Sequence, residues 1–358
     1  MSKIKVNEIS KHDASEITVN DTVKVDTIEE KTSGAGVTVD GLTIKDTGFN
    51  EPVKIKNYTT TQVNALSGMG AGDMVYDSDL GTLKVYNGSS WNAMSANTFN
   101  FTVEYLFIAG GGGAGSTANN STRGPGGGGA GGLLTASDLT LATGTAYTVS
   151  LGAGGAGGTA GGFNNGVQGS ASTMVSGAST LISATGGGFG SAQSNSAGDG
   201  GSGGGAGNLG ASAGSGTSGQ GNDGGAGAGG VGGGGGGGGK GGAGVASTGQ
   251  TGGAGGTGFG SNITGSTVTY ATGGIGGNHA TNPSSPADGT TNRGHGGGGT
   301  GGMTNNRGGN GGSGFIVFKF ADTRSATVGA GLVFSTSTSG GYTTIQITSG
   351  TGTVTWST

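Results

Sequence analysis

Val103-Glu104-Tyr105-Leu106-Phe107-Ile108-Ala109-Gly110-Gly111-Gly112-Gly113 passes without a break from an apolar run into a block of glycine. The first part, rich in aromatic and β-branched residues, predicts a strand too apolar to be left in solvent. The second part has no side chain to bury. The same junction recurs where Leu151 meets Gly152, Ile182 precedes Gly186 and Tyr270 precedes Gly273, and Gly314-Phe315-Ile316-Val317-Phe318-Lys319-Phe320 closes the region as another strand. Residues 139–141, 146–151, 179–183 and 266–270 add shorter strands. This grammar predicts a β platform that launches successive glycine segments in one direction.

An isolated glycine chain stays a coil, because ordering costs it more backbone entropy than any other residue. Side by side in an extended helix of three residues per turn, glycine chains can approach closely, since no Cβ intervenes, and offer N–H and C=O groups to several neighbours. Residues 126–129, 232–239 and 296–299, with the pairs at 308–309 and 311–312, are the expected central members. Breaks containing Asn, Ser, Thr or Pro are the expected turns. Phe163, Phe189 and Phe259 are expected to plug gaps between the sheet and the glycine segments.

Composition narrows the class. Of 95 glycines in 358 residues, 80 fall in residues 101–320, with an irregular spacing unlike the every-third-residue rule of collagen. The absence of cysteine excludes disulfides and thiolate metal sites. Of the 34 charged residues, 22 lie in residues 1–100, and the net charge of −4 gives no footprint for nucleic acid. The N-terminus carries no apolar signal region, so synthesis and assembly in a cytoplasm are expected.

Upstream, residues 1–50 alternate β-branched and polar residues in stretches such as Val23-Lys24-Val25-Asp26 and Val37-Thr38-Val39-Asp40. Strands this short bury too little to fold alone, which predicts chains wound together as a homotrimer. Residues 51–97 predict a small module: a short helix opened by a Thr N-cap after Tyr58, a hairpin across residues 78–81, and a turn at Asn87-Gly88 delivering Trp91.

Two sets of residues carry a resemblance. The run from Tyr58 through Gly72-Asp73-Met74-Val75-Tyr76 to Val85-Tyr86-Asn87-Gly88-Ser89-Ser90-Trp91 resembles a module of bacteriophage tail fibres, and Val25 to Val37 with Asp40-Gly41 resembles the trimeric shafts preceding it. The junction at residues 103–113, Tyr147 to Gly155, and Gly311-Gly312-Ser313-Gly314-Phe315-Ile316-Val317 resemble the glycine-rich domain of phage tail fibres and receptor-binding adhesins. That resemblance implies a slab of packed polyglycine helices with host recognition on turns at its tip. The tail at residues 341–348 and 353–356 resembles the β-hairpin appendages found beside such domains.

The expected fold is therefore mainly β and fibrous: a trimeric β connector, then a β platform carrying packed polyglycine II-type helices, with almost no α-helix. Its divisions are 1–50 (tail attachment and shaft), 51–97 (connector), 98–320 (adhesin) and 321–358 (appendage). Chemical motifs are background. The G-x-G-x-x-G at Gly152 lacks a following helix, Lys240 is followed by Gly241 where a phosphate loop needs Ser or Thr, and the six acids after residue 100 are scattered. No catalysis, metal or cofactor is expected. Recognition falls to the side chains that interrupt glycine: Asn119, Asn120, Arg123, His279, Asn282, Arg293, His295, Asn305, Asn306 and Arg307. The expected function is a virion tail fibre, docked through its N-terminus on a tail protein and binding a bacterial surface glycan or outer-membrane protein. The alternative is a purely architectural tail or spike component.

Overall fold

In the first unit, Thr59 starts the only helix among the described residues, α1 (Thr60–Ala65): its hydroxyl accepts the Gln62 amide at 3.3 Å while the Gln62 side chain accepts the Thr59 N–H at 2.8 Å. This reciprocal capping satisfies two of the N–H groups that a helix start leaves open. The computed structural model describes residues 55–94, 100–118, 121–209, 211–279, 286–301 and 307–357, so the strands expected in residues 1–50 lie outside it. It divides into two units, Met1–Ala93 and Met94–Thr358. The first orders β1 (Asn57–Tyr58), β2 (Met74–Asp77), β3 (Thr82–Tyr86) and β4 (Trp91–Ala93) into one sheet in sequence order. Inside it, Asp77 is fully buried and paired with Lys84 at 2.8 Å. Burial pushes the Asp77 carboxyl up, but the hydrogen bonds from Lys84, Thr60 and the Leu80 amide outweigh it and hold the group below its ordinary 3.8.

The second unit is built on β5 (Asn100–Ile108), β6 (Leu133–Ala142), β7 (Ala146–Ser150), β8 (Ser172–Ser176), β9 (Ser179–Ala184), β10 (Phe259–Ser261), β11 (Val268–Tyr270), β12 (Phe315–Ala321), β13 (Ser325–Val328), β14 (Leu332–Ser339) and β15 (Tyr342–Ser357). The path β6-β5-β12-β15-β7-β8-β9, with β13 and β14 also on β15, makes a nearly closed barrel-like sheet. Among the described residues 33% are strand and 2% helix. Alternation along the strands puts one set of residues inside. Trp356 is fully buried there, edge-on to Phe318 at 5.2 Å and Tyr147 at 5.7 Å, with Phe107 and Ile347 beside them. The opposite set, Leu106, Ile108, Phe315 and Val317, is covered by the β10–β11 hairpin through Ile263 and Tyr270.

From this sheet the chain leaves and returns as extended segments. Gly110 donates to Ser170, Gly111 to Gly312 and Gly112 to Gly129, and then Gly113 donates to Val167, Ala114 to Gly309 and Gly115 to Gly126, at 2.8–3.1 Å. Every third amide comes back to the same neighbour three residues further on, which is a helix of three residues per turn. Residues 124–132 donate to segments 185–191, 232–238 and 294–297 and accept from 109–115, 202–208 and 274–277, so they touch six neighbours. The pairings build a middle row (152–158, 109–116, 124–132, 232–240, 242–249) between two others, one of 164–170, 186–191, 202–208 and 222–228, the other of 308–313, 294–299, 271–277 and 252–257.

The middle positions are glycine for want of space. A Cβ on Gly127, Gly128 or Gly235 would overlap a neighbour's backbone carbonyl, and none of the three has a left-handed φ. At the margins the pattern becomes x-Gly-Gly: Ala153, Ala156 and Thr159 are exposed while Gly155 and Gly158 are buried, and Thr251, Ala254 and Thr257 alternate likewise with Gly253 and Gly256.

Four expectations change. Segments do not run in one direction: 109–116, 152–158 and 186–191 leave the sheet and 271–277 leaves the β10–β11 hairpin, whereas 124–132, 164–171 and 308–314 return into β6, β8 and β12. The antiparallel pairs require it, since the excursion leaving β5 re-enters beside it as β6 and the one leaving β7 re-enters as β8. Strand β8 is new, because its flanking serines hide Met174, and β6 extends well beyond residues 139–141. Residues 321–358 are no appendage. What looks like two strands is one, β15, which pairs β12 and β7 on one side and β13 and β14 on the other; Gly350 and Gly352 look like a turn but continue the strand. Phe163, finally, fills no gap, being 37% exposed.

Candidate recognition edge

The end of the slab away from the sheet carries, among the described residues, 117–118, 121–123, 159–163, 192–196, 208–209, 229–231, 247–251, 278–279, 300–301 and 307. Several are braced from within the slab. Ser116, fully buried, donates its hydroxyl to the Thr159 carbonyl at 2.7 Å and thereby fixes the turn that exposes Phe163. The Asn165 side chain accepts the Ala192 amide at 2.8 Å. Asn208 donates to the Gly230 carbonyl at 2.7 Å, while the Leu209 amide donates to Ala228 at 2.9 Å, which sets Leu209 and Val231 on neighbouring turns, both exposed. Loops pinned in this way present side chains with little ordering left to lose on binding.

The sequence-predicted residues separate into groups. Arg123 sits half-buried on the first turn, on this edge. Arg307 is exposed but committed: its guanidinium donates to both Asp288 oxygens at 2.7 and 2.8 Å, and Asp288 also accepts the Asn310 amide at 2.8 Å. The Arg307 hydrogen bond holds the Asp288 carboxyl below its ordinary 3.8. Arg307 thus ties the start of the 307–314 segment to the segment at 286–290.

Three of the expected residues lie away from the exposed part of this edge. His279 is only 7% exposed, and its amide donates to the Gln250 carbonyl at 2.8 Å in the seam between two turns. Arg293 and His295 lie at the opposite, sheet-side end. Arg293 stacks over Tyr270 at 5.3 Å, and His295 Nε2 lies 3.4 Å from the Thr269 carbonyl. Burial, with the nearby Arg293 charge, pushes the His295 imidazole down against the Thr269 contact. The reason is a count. Between residues 279 and 307 the chain travels once to the sheet and once back, so its midpoint cannot share the far edge. Asn119, Asn120, Asn282, Asn305 and Asn306 lie outside the described residues. Sequence reasoning missed Leu209 and Val231, each a lone apolar residue in a glycine-rich break.

In comparison with known proteins, a family model described as a glycine-rich domain matches residues 87–321. No curated protein matches the chain.

Proposed function

Since the chain belongs to the glycine-rich domain family, we propose that it is a non-enzymatic adhesin: a bacteriophage tail fibre protein, in the virion tail, binding the host surface through the turns of the slab's far edge. The observation that carries this reading is the division of labour within the slab. Its interior is backbone packed on backbone, and the braced turns of its far edge expose Phe163, Leu209 and Val231, with Arg123 half-buried on the same edge. Such an edge suits a receptor glycan or outer-membrane protein loop held by many weak contacts. A homotrimeric fibre anchored through its N-terminus on a tail protein multiplies them into avidity. The sequence resemblance to tail fibre modules on both sides of residue 100 supports the same reading.

The test is adsorption. Purified protein should compete with phage for host cells, and exchanging residues 117–123 and 159–163 for shorter Gly-Ser turns should abolish competition while leaving thermal stability unchanged. Competition that survives the exchange assigns the far edge an architectural role instead. Light scattering on the full chain tests the trimer, which a stable folded monomer would exclude.

A further inference from the structure

On the outer face of the sheet, at the end opposite the recognition edge, charge and aromaticity meet in a region otherwise poor in both. Lys319 of β12 lies directly across from Glu104 of β5 in the ladder, with Nζ 3.0 Å from Oε2. The same ammonium lies 5.0 Å from the ring centroid of Tyr342, the first residue of β15, and that ring remains 49% exposed. Lys319 and Tyr342 form the shared wall of two grooves. One, of about 350 Å³, is lined further by Thr102, Glu104 and Ser137. The other, of about 180 Å³, is lined by Ser337, Ser339 and the hairpin loop at Asn262 and Thr264. The larger falls within the roughly 300–1,000 Å³ of small-molecule sites.

We propose that these grooves form a second binding site, for a neutral pyranose sugar. An aromatic ring held in place by a cation on one side offers its free surface to the C–H face of a sugar ring. Around it the donors and acceptors are idle: the hydroxyls of Thr102, Ser137, Ser337 and Ser339 make no hydrogen bond with any described residue, and Oε1 of Glu104 accepts none. Hydroxyls both donate and accept, and a carboxylate oxygen accepts two bonds, which matches vicinal sugar hydroxyls. Lys319 is already neutralised by Glu104, which argues for an uncharged ligand. The site shares no residue with the far-edge turns, so it stands or falls separately from the function proposed above.

The full chain is titrated with methyl glucoside, methyl galactoside and N-acetylglucosamine by saturation-transfer NMR, and with inorganic phosphate as the anionic probe. At least one sugar should bind saturably, with a dissociation constant of about millimolar. Tyr342→Ala should weaken it about tenfold and Glu104→Gln severalfold, while Phe334→Ala, on exposed β14 outside the grooves, leaves it unchanged. Tyr342→Phe, which keeps the ring, should retain binding and controls for folding should Tyr342→Ala prove unstable. No saturable sugar binding, binding indifferent to loss of the ring, or phosphate binding in place of sugar would each overturn the proposal.

Discussion

Gly235 and Ala254 occupy the same kind of extended segment and face opposite demands. Gly235 sits in the middle row with a neighbour's carbonyl where its Cβ would go, whereas Ala254 takes the exposed x position of an x-Gly-Gly margin. Gly235→Val should cost more than about 3 kcal/mol, because the obstacle is backbone on all sides and cannot rotate away. Ala254→Val should shift the thermal midpoint hardly at all, and calorimetry of the two variants checks the contrast. A second residue-scale outcome concerns Asp288. Its folded pKa lies below the ordinary 3.8, so what it contributes is fully present above that value and is lost as pH falls through the lower, folded one. Protection of the Asn310 amide, bonded to Asp288, should therefore persist at the ordinary 3.8 and be lost only as the pH falls further, which hydrogen-exchange protection factors measure.

Among the elements, β15 carries the most. It pairs with four other strands and supplies Trp356 to the core, so a chain ending at Gly341 should lose the sheet and with it every glycine segment. Far-ultraviolet circular dichroism and solubility of the truncated chain test this. In the first unit, Thr59→Ala removes the cap of α1 and should cost about 1 kcal/mol in denaturant unfolding. These two elements also mark what a sequence makes legible. The cap and the hairpin at residues 74–86 are written locally, by a Thr with Gln three residues on and by apolar–polar alternation around a turn. The strand junctions at Ile108 and Tyr270 are equally plain, because apolar runs stop where glycine starts. The unity of β15 is not local: Gly350 and Gly352 carry turn chemistry, and only pairing with distant strands keeps them extended. The far edge suffers similarly, since whether Arg293 lies at that edge or beside the sheet depends on counting passages through the slab. The x-Gly-Gly margins at residues 153–159 and 251–257 were the available ruler for that count, three residues to a turn.

For the molecule as a whole, the slab replaces one cohesive principle with another. A sheet core of Trp356, Phe107 and Ile347 is held by removal of apolar surface from water. The glycine rows are held by amide-to-carbonyl bonds running to as many as six neighbours and by dense backbone contact, with scarcely a methylene to bury. Amides of residues 126–130 and 234–238, enclosed on every side, should accordingly exchange as slowly as those of β12, while residues 243–247 at the margin exchange sooner. The replacement also reaches the thermal behaviour of the protein. Unfolding raises heat capacity through exposed apolar surface and lowers it through exposed polar surface, for a usual net of about 12–15 cal/mol/K per residue. A domain whose interior is mostly peptide group should fall well below that figure in scanning calorimetry. Its stability curve should then be broad and shallow, so that the domain resists cold almost as well as warmth.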